Sequence, residues 1–554
     1  MAKNNDNTMV KNASFLMIAA LISKIIGMLY KSPLSTILGS NSYALFQYAQ
    51  NAYFILLMIS SFSIPQAVSK LMAEKIAFRR YRDAQRIFHG ALIYALIAGG
   101  IVALFCVFGA GILVPSSMAD ARLALRFLAP TILLSGILGV FRGYFQAYRN
   151  MLPTSLSQIV EQIFVAVVAL IAASLMVRRF ASEGTAVVEK WGAAGATIGT
   201  GAGVLAALLL MIGIYMINVG AVHNKIRQDM ISKDEPMLDV MREIVLIVMP
   251  IILSAFIYNV NGFINSYMYS GIMGFKGTDP NEIKTLYAEY GYFMTLINIP
   301  LTLASTAPTS MIPEVSAAYA KGDMKLARKK IDRATWISML ISIPCAVGLG
   351  VLAGPVTRLI FPGTNGAASQ LMLLGVVTIV LYGNSNITNG VLQGIGKPEI
   401  PMKNAAISLA ADVVVMLLLL FLTNWGIYTV VVAMIFYAVV MCVLNDRAMK
   451  KYMKYKNPWE KAYLHPMVAS IPMALIAGLV YYLLYKLTVR NIIAILPAVV
   501  LAVLVYFAVY LLVRKPSEEE IEAMPAGRYV MILNDWLQGL GKKEDDYYLD
   551  DDDE

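Results

Sequence analysis

The sequence predicts an all-α polytopic membrane protein of about fourteen transmembrane helices, most of them in two six-helix repeats and the last two appended. Three observations predict it. Of 554 residues, 58% are hydrophobic and 14% charged, whereas a soluble chain carries about 25% charged residues, so lipid is the main solvent. Apolar runs of the roughly 20 residues needed to cross a bilayer recur along the whole chain. Finally, two stretches read as diverged copies. Arg142-Gly143-Tyr144-Phe145-Gln146 is answered by Asn389-Gly390-Val391-Leu392-Gln393 at a spacing of 389 − 142 = 247. Ile64-Pro65-Gln66 is answered by Ile312-Pro313-Glu314, and Pro153 by Pro401, each at a spacing of 248.

Taken in order, spans 1–6 fall near 12–38, 43–66, 86–115, 123–148, 154–178 and 192–219, and make the first repeat, 1–219. A linker at 220–240 carries mixed charges. Spans 7–12, near 241–272, 285–313, 332–360, 368–395, 402–423 and 427–446, make the second repeat, 241–446. Each Ile-Pro pair is expected to close an apolar segment and lead into a basic loop, Arg79 to Arg86 or Lys321 to Arg333. An even number of spans per repeat makes the repeats parallel, related by an axis along the membrane normal. Span 7 contains Tyr258-Asn259-Val260-Asn261-Gly262-Phe263-Ile264-Asn265, polar enough to predict local irregularity. Spans 13 and 14, within 465–513, have no counterpart. In the tail, 514–554, Val530, Leu533, Leu537 and Leu540 recur at helical spacing beside Trp536, which suggests a helix over 526–540 at the membrane surface. The acidic end, Asp550 to Glu554, reads as a solvated, disordered run.

The net charge of +10 does not point to nucleic acid, because its distribution follows topology. Lys70 to Arg86, Arg149, Lys225 to Lys233, Lys321 to Arg333, Lys397, Lys403 and Arg447 to Lys461 all fall in loops on one side. The opposite loops are short and, apart from Arg178, Arg179 and Lys190, poor in bases. That places both termini in the cytoplasm and the basic loops against anionic lipid heads. No small-residue cleavage site follows a short apolar core, so a removable signal peptide is not expected. Cys106, Cys345 and Cys442 lack ligand spacing, and His89, His223 and His465 are scattered, so no metal cofactor is indicated.

Ionisable groups inside spans cost about 2.5–3.5 kcal/mol each and mark candidate sites. Lys24 lies about 18 Å into span 1 at 1.5 Å per residue, and Lys31 follows two turns later on the same face. Arg142 lies in span 4 with Gln146 one turn on. Together these four suit an anionic group such as a phosphate, Arg by its forked donors and Lys as a compact charge. Alternatives stand beside this reading: Lys24 as a structural partner of Glu161 in span 5, and Arg142 and Lys31 as side chains snorkelling to an interface. The second repeat replaces Arg142 by Asn389 and Lys24 by Asn259 or Asn261. Asn404, Ser408 and Asp412 share one helical face and offer oxygens to Na⁺ or a proton site; a satisfied structural Asp412 is the competing reading.

Ser23-Lys24-Ile25-Ile26-Gly27, Tyr30-Lys31-Ser32-Pro33-Leu34, Leu38-Gly39-Ser40, Gln158-Ile159-Val160-Glu161-Gln162 and Asn389 through Lys397 resemble one family across spans 1–14. It is the multidrug/oligosaccharidyl-lipid/polysaccharide exporter superfamily, in its branch of stage V sporulation protein B and YtgP-like proteins, relatives of the lipid II flippase MurJ. The resemblance implies two six-helix lobes in a V around a central cavity, opening alternately to each face. It implies a polyprenyl-pyrophosphate substrate bearing a sugar or sugar-peptide, with Lys24 and Lys31 matching the basic residues that serve the pyrophosphate. This chain has Lys where relatives often have Arg. Spans 13 and 14 would form a groove for the lipid tail. The implied partners are the lipid-linked glycan, anionic membrane lipids and cell-wall synthesis proteins, for a monomer in the bacterial cell membrane. The expected function is a lipid II flippase, with another lipid-linked oligosaccharide or a drug/cation antiporter as runners-up. A polyprenyl-sugar enzyme is disfavoured, since the outer loops leave no room for an extracytoplasmic catalytic domain.

Overall fold

The computed structural model describes residues 19, 21–232, 236–522, 524 and 527–547, with 221–223, 225, 306–310 and 539–547 described as backbone only. Among these residues every regular element is helical. A first helix, α1 (residues 21–29), meets α2 (Lys31–Ser60) at a turn on Tyr30. α2 breaks at Gly39, whose φ of +70° is a backbone state that side chains with a Cβ rarely adopt. The break falls in the gap expected between spans 1 and 2. After a turn at 61–63 comes α3 (Ile64–Ala77). The chain continues through α4 (Tyr81–Phe108), α5 (Ala121–Ala147), α6 (Leu152–Arg179), α7 (Thr185–Arg227), α8 (Met237–Phe275) and α9 (Pro280–Ala320). Then follow α10 (Met324–Val351), α11 (Ala353–Ile360), α12 (Ala367–Gly375), α13 (Val377–Gly394), α14 (Glu399–Leu422) and α15 (Tyr428–Met453). α16 (His465–Thr488), α17 (Asn491–Arg514) and α18 (Gly527–Tyr547) complete the order.

Among the described residues, eleven helices are long and apolar enough to cross a membrane, or twelve when the bent pair α12–α13 counts as one span. That count takes Lys31–Ala77 as one helix of 47 residues and leaves out α9. Gly39 divides the former, α9 covers the range read as span 8, and residues 12–18 and 20 of the expected span 1 lie outside the described residues. Prolines 130, 250, 344, 472 and 497 stand inside α5, α8, α10, α16 and α17, where neighbouring helices can satisfy the freed carbonyls.

Two expectations are corrected. Ile64-Pro65 opens α3 instead of closing a segment: proline suits the first helical turn, where its missing N–H has no partner to lose. Ile312-Pro313 lies inside the continuous α9. α8 is unbroken across Tyr258–Asn265, because its polar side chains bond their own helix. Asn259 Nδ2 donates to the Ala255 carbonyl at 2.8 Å, Ser266 Oγ to the Gly262 carbonyl at 2.7 Å, and Asn265 Nδ2 to Asn261 Oδ1 at 3.1 Å.

The helices pack as two compact units. One holds the chain up to Gly291 together with Val413–Val430; the other holds Tyr292–Asp412 and the chain from Val431 onward. In the first unit, α3, α4, α5 and α7 meet around Phe88, which stacks on Tyr215 at 5.4 Å and meets Phe141 edge-on at 5.4 Å. In the second, Trp336 Nε1 donates to Tyr510 Oη at 2.6 Å, and the Arg514 guanidinium lies 4.5 Å above the Trp336 ring. α18 seals this core with Val530, Leu533 and Leu537, while Tyr529, Ile532 and Trp536 are left exposed on its other side. The stripe expected at the membrane surface packs on protein, with Val530 buried in this core and Leu533 and Leu537 partly buried against it. The side chain of Leu540 and the acidic end lie outside the described residues.

The repeated residues meet each other in space. A Cβ at Gly143 would lie 2.8 Å from both the Pro65 carbonyl oxygen and Val68 Cβ, and one at Gly139 would lie 3.3 Å from Pro65 Cδ. In the other unit, a Cβ at Gly390 would overlap Ile312 Cδ1, and one at Gly394 would come within 2.6 Å of Ser316 Oγ. The glycines and the Ile-Pro pairs are thus two sides of one close helix contact, made once in each half.

Candidate functional site

Of the candidate charged residues in the first unit, Arg142 and Glu161 are joined. Arg142 on α5 donates from Nη2 to Glu161 Oε2 on α6 at 2.7 Å, and from Nε to Ser157 Oγ at 3.0 Å. Ser157 is fully buried and passes its own proton to the Thr154 carbonyl at 2.7 Å. Arg142 and Glu161 keep 17% and 20% of their side-chain surface, so the pair is mostly covered. Glu161 therefore has Arg142, not Lys24, as its partner. α1 runs past this pair: a Cβ on Gly27 would lie 2.8 Å from Gln162 Oε1, one residue beyond Glu161. On α1 and the start of α2, Lys24 is exposed and Lys31 half-buried, and among the described residues neither has an ion pair. Gln146 is half-buried one turn from Arg142.

The second unit answers with amides. Asn389 stands at the repeat position of Arg142 (389 − 142 = 247), and Asn404 lies on α14, the helix that answers α6. Asn445 on α15 joins Asn389 to Asn404, donating to Asn389 Oδ1 at 2.7 Å and to Thr388 Oγ1 at 3.0 Å while accepting from Asn404 Nδ2 at 2.9 Å. Ser408 Oγ donates to the Asn404 carbonyl at 2.8 Å, and Asp412 is fully buried two turns along the same face. Asn259 is exposed on α8, while Asn261 and Asn265 are buried there. Asn404, Ser408 and Asp412 share one buried face; Asn404 and Ser408 spend their donors on structure. Sequence reading missed Asn445, although a neutral amide in the middle of an apolar run was the available signal.

A second polar set closes one end of the first unit, away from the basic loops. Lys284 Nζ lies 2.9 Å from Glu189 Oε2 and 3.6 Å from Asp120 Oδ2, and is itself only 8% exposed. Asn41 Nδ2 donates to Glu189 Oε1 at 2.9 Å, and Thr285 Oγ1 to Asn41 Oδ1 at 3.0 Å. Further along, Asn51 Nδ2 donates to Tyr287 Oη at 2.8 Å, which donates to Ser266 Oγ at 2.9 Å. This seam ties α2 and α7 to α8 and the start of α9. Its residues sit at segment ends, where sequence reading looked only for excess positive charge.

Within the second unit, α9, α10, α16 and α17 enclose a groove of about 370 Å³ lined by apolar residues such as Leu303, Ile341, Leu349, Val499 and Phe507. Its one hydroxyl-bearing aromatic, Tyr506, donates to the Leu340 carbonyl at 2.9 Å and so leaves the groove apolar.

Comparison with known proteins bears on this arrangement. The profile of the polysaccharide biosynthesis protein family matches residues 9–319, more than half of the chain. The chain belongs to that family. The MatE profile matches residues 287–418. Among curated proteins, the chain is 26% identical over 436 residues to the lipid II flippase MurJ of Bacillus subtilis (strain 168), covering 74% of this chain and 76% of that one. Stage V sporulation protein B of the same organism is 23% identical over 451 residues, covering 80% and 84%. Among solved structures, an inward-facing MATE family transporter of the MOP superfamily aligns with a TM-score of 0.60 at 15% identity, covering 80% of this chain and 98% of that one. Lipid II flippase MurJ in an inward closed conformation aligns with a TM-score of 0.59 at 14% identity, covering 90% and 98%. This polysaccharide biosynthesis family member is a multi-pass membrane transporter of the flippase and exporter kind, not an enzyme.

Proposed function

We propose that the protein is a flippase that moves a polyprenyl-pyrophosphate-linked cell-wall precursor, lipid II foremost, from the inner to the outer leaflet of the bacterial plasma membrane. The observation that carries the reading is the apolar groove between α9, α10, α16 and α17, which a substrate with a long hydrocarbon tail can use and a hydrophilic solute cannot. The headgroup chemistry fits as well. Lys24 and Lys31 carry charge with no acid paired to it among the described residues, and Arg142 keeps donors beyond its two bonds for a pyrophosphate oxygen. Gln146 adds an amide one turn away. The relative that is 26% identical is a lipid II flippase, which supports the same substrate class.

In this reading the precursor enters with its headgroup at Lys24, Lys31 and Arg142 while its tail stays in the groove. Rocking of the repeats then exposes the headgroup on the other side. Release requires weaker binding in the outward state, so Lys24 and Lys31 are regrouped or hydrated by the motion. A coupling ion, Na⁺ or H⁺, would act at the buried Asp412 face. Both termini lie in the cytoplasm.

The test is reconstitution into vesicles scored for translocation of lipid II against other polyprenyl-linked sugars, with and without Na⁺, proton and voltage gradients. Wild type is expected to move lipid II, and Lys24→Ala with Lys31→Ala to lose at least tenfold of that rate. Unchanged translocation by the double variant would sink the assignment of the two lysines. Movement of another lipid-linked oligosaccharide in preference to lipid II would select the second reading, which the family's link to polysaccharide biosynthesis favours. Resistance to cationic dyes without lipid movement would select the antiporter.

A further inference from the structure

We propose that the second unit holds a resident anionic phospholipid of the phosphatidylglycerol type, on a face of α16 distinct from the apolar groove described above. Two crevices carry the proposal. The first, about 1130 Å³, opens between α10, α13, α15 and the start of α16, with walls including Val347, Val351, Val377 and Val380. The second, about 530 Å³, shares Val347, Val351 and Met467 with it and continues past Ile471, Ala474 and Leu475 along α16. α16 gives Met473 and Ala477 to the groove proposed for the polyprenyl tail, so these crevices lie around the helix from it.

Two joined apolar clefts fit two acyl chains of one lipid better than the single chain of a polyprenol. Their depth fits one leaflet. Along α13 the first crevice runs from Asn384 to Val376, about 12 Å at 1.5 Å per residue, against about 15 Å for half the hydrocarbon core.

The mouth supplies the headgroup site. Arg447, Lys450 and Lys456 line it, all exposed, and Asp446 is the one acid, paired with Lys450 at 2.6 Å. Three cations against one anion leave a net +2 for a phosphate. Trp459 stands exposed beside them and packs 4.8 Å from Tyr463, the placement of an aromatic at a membrane interface. Below the cations, Tyr463 Oη donates to Asn384 Oδ1 at 3.0 Å and accepts from Asn457 Nδ2 at 3.1 Å. That leaves Asn457 Oδ1 buried, with no protein partner among the described residues. A buried acceptor next to a phosphate-binding cluster calls for a headgroup that also carries a donor. A glycerol headgroup offers both the negative phosphate and free hydroxyls.

The experiment is native mass spectrometry of the full-length protein extracted from vesicles containing equal dioleoyl phosphatidylglycerol, phosphatidate and phosphatidylcholine. Wild type is expected to retain phosphatidylglycerol at least tenfold over phosphatidylcholine. The triple variant Arg447→Ala, Lys450→Ala, Lys456→Ala should lose that retention, and Asn457→Leu should keep phosphatidate but lose the preference for phosphatidylglycerol over it. Gly350→Leu adds bulk to the first crevice without touching a charge, a Cβ there meets nothing closer than 3.7 Å, and, with thermal unfolding matched to wild type as the check on folding, it should also release the lipid. Equal retention of phosphatidylcholine and phosphatidylglycerol by wild type overturns the proposal. So does wild-type retention by either the triple variant or Gly350→Leu. Translocation is not part of the readout, so the flippase reading stands or falls separately.

Discussion

Arg142 shows how much a single partner decides. Its guanidinium bridges α5 to α6 through Glu161 and Ser157, so its loss leaves a carboxylate in a mostly covered site. We expect Arg142→Ala and Glu161→Ala each to lower stability by about 1–3 kcal/mol, with a double-mutant coupling above about 1 kcal/mol in thermal unfolding. Additive losses would mean that the two residues act separately. Sequence reading had both residues and the depth of each, yet offered Glu161 to Lys24. Depth follows from counting residues along a helix, whereas the partner depends on how each helix is rotated about its axis, which hydropathy does not report. The same limit hid Asn445, whose amide serves three neighbours on two other helices. Asn445→Leu removes that ladder and should cost about 1–3 kcal/mol by stranding buried amides, a loss visible as a lower Tm.

Between helices, one repeat pair, Gly143 and Gly390, is preserved where a side chain is absent. Gly390→Leu must displace Ile312, and Gly143→Leu must displace the Pro65 backbone. Each is expected to cost at least about 1–3 kcal/mol through overpacking, and Gly143→Leu more because backbone yields less than a side chain. Comparable tolerance of both by scanning calorimetry would contradict the contact. These glycines were legible in the sequence as repeat markers, but their partners were not. The linker between repeats is anchored in a way that charge counting missed. Asp229 accepts from the Arg82 amide at 2.8 Å, from Ser232 Oγ at 2.6 Å, and from the Ile231 and Ser232 amides at 2.9 and 3.0 Å. Burial by itself raises its pKa, but the Ser232 hydroxyl and the backbone N–H groups of Arg82, Ile231 and Ser232 outweigh burial and hold the carboxyl below the usual carboxylate range. A depressed folded pKa contributes stability that is present in full above the unfolded value of about 4 and is lost as pH falls below it. Wild type should therefore lose stability between pH 5 and lower values (about one unit above the unfolded pKa) more steeply than Asp229→Asn, a difference measurable in urea titrations.

At the scale of the molecule, composition and hydropathy were enough to read an all-helical membrane protein, because bilayer thickness allows few lengths, while the transporter reading came from the internal repeat and the resemblance. Which residues pair at that end of the first unit was not legible, since Lys284 at the start of α9, Glu189 at the start of α7 and Asp120 in the turn before α5 are brought together only by the fold. Lys284→Ala should loosen that end. With Asn51→Cys as the reporter, a membrane-impermeant thiol reagent is expected to label the Lys284→Ala background several-fold faster than the parent, and equal labelling would show that the seam does not gate access.

The seam also sets an energy scale. Five of its contacts, Lys284–Glu189, Asn41–Glu189, Thr285–Asn41, Asn51–Tyr287 and Tyr287–Ser266, are each worth about 1 kcal/mol net. Their total is close to the roughly 5.5 kcal/mol that carries a two-state equilibrium from one part in a hundred to ninety-nine. A closure of that size is a threshold and not a lock. A ligand that bound a form lacking these contacts a few thousandfold better would offset them without an external push.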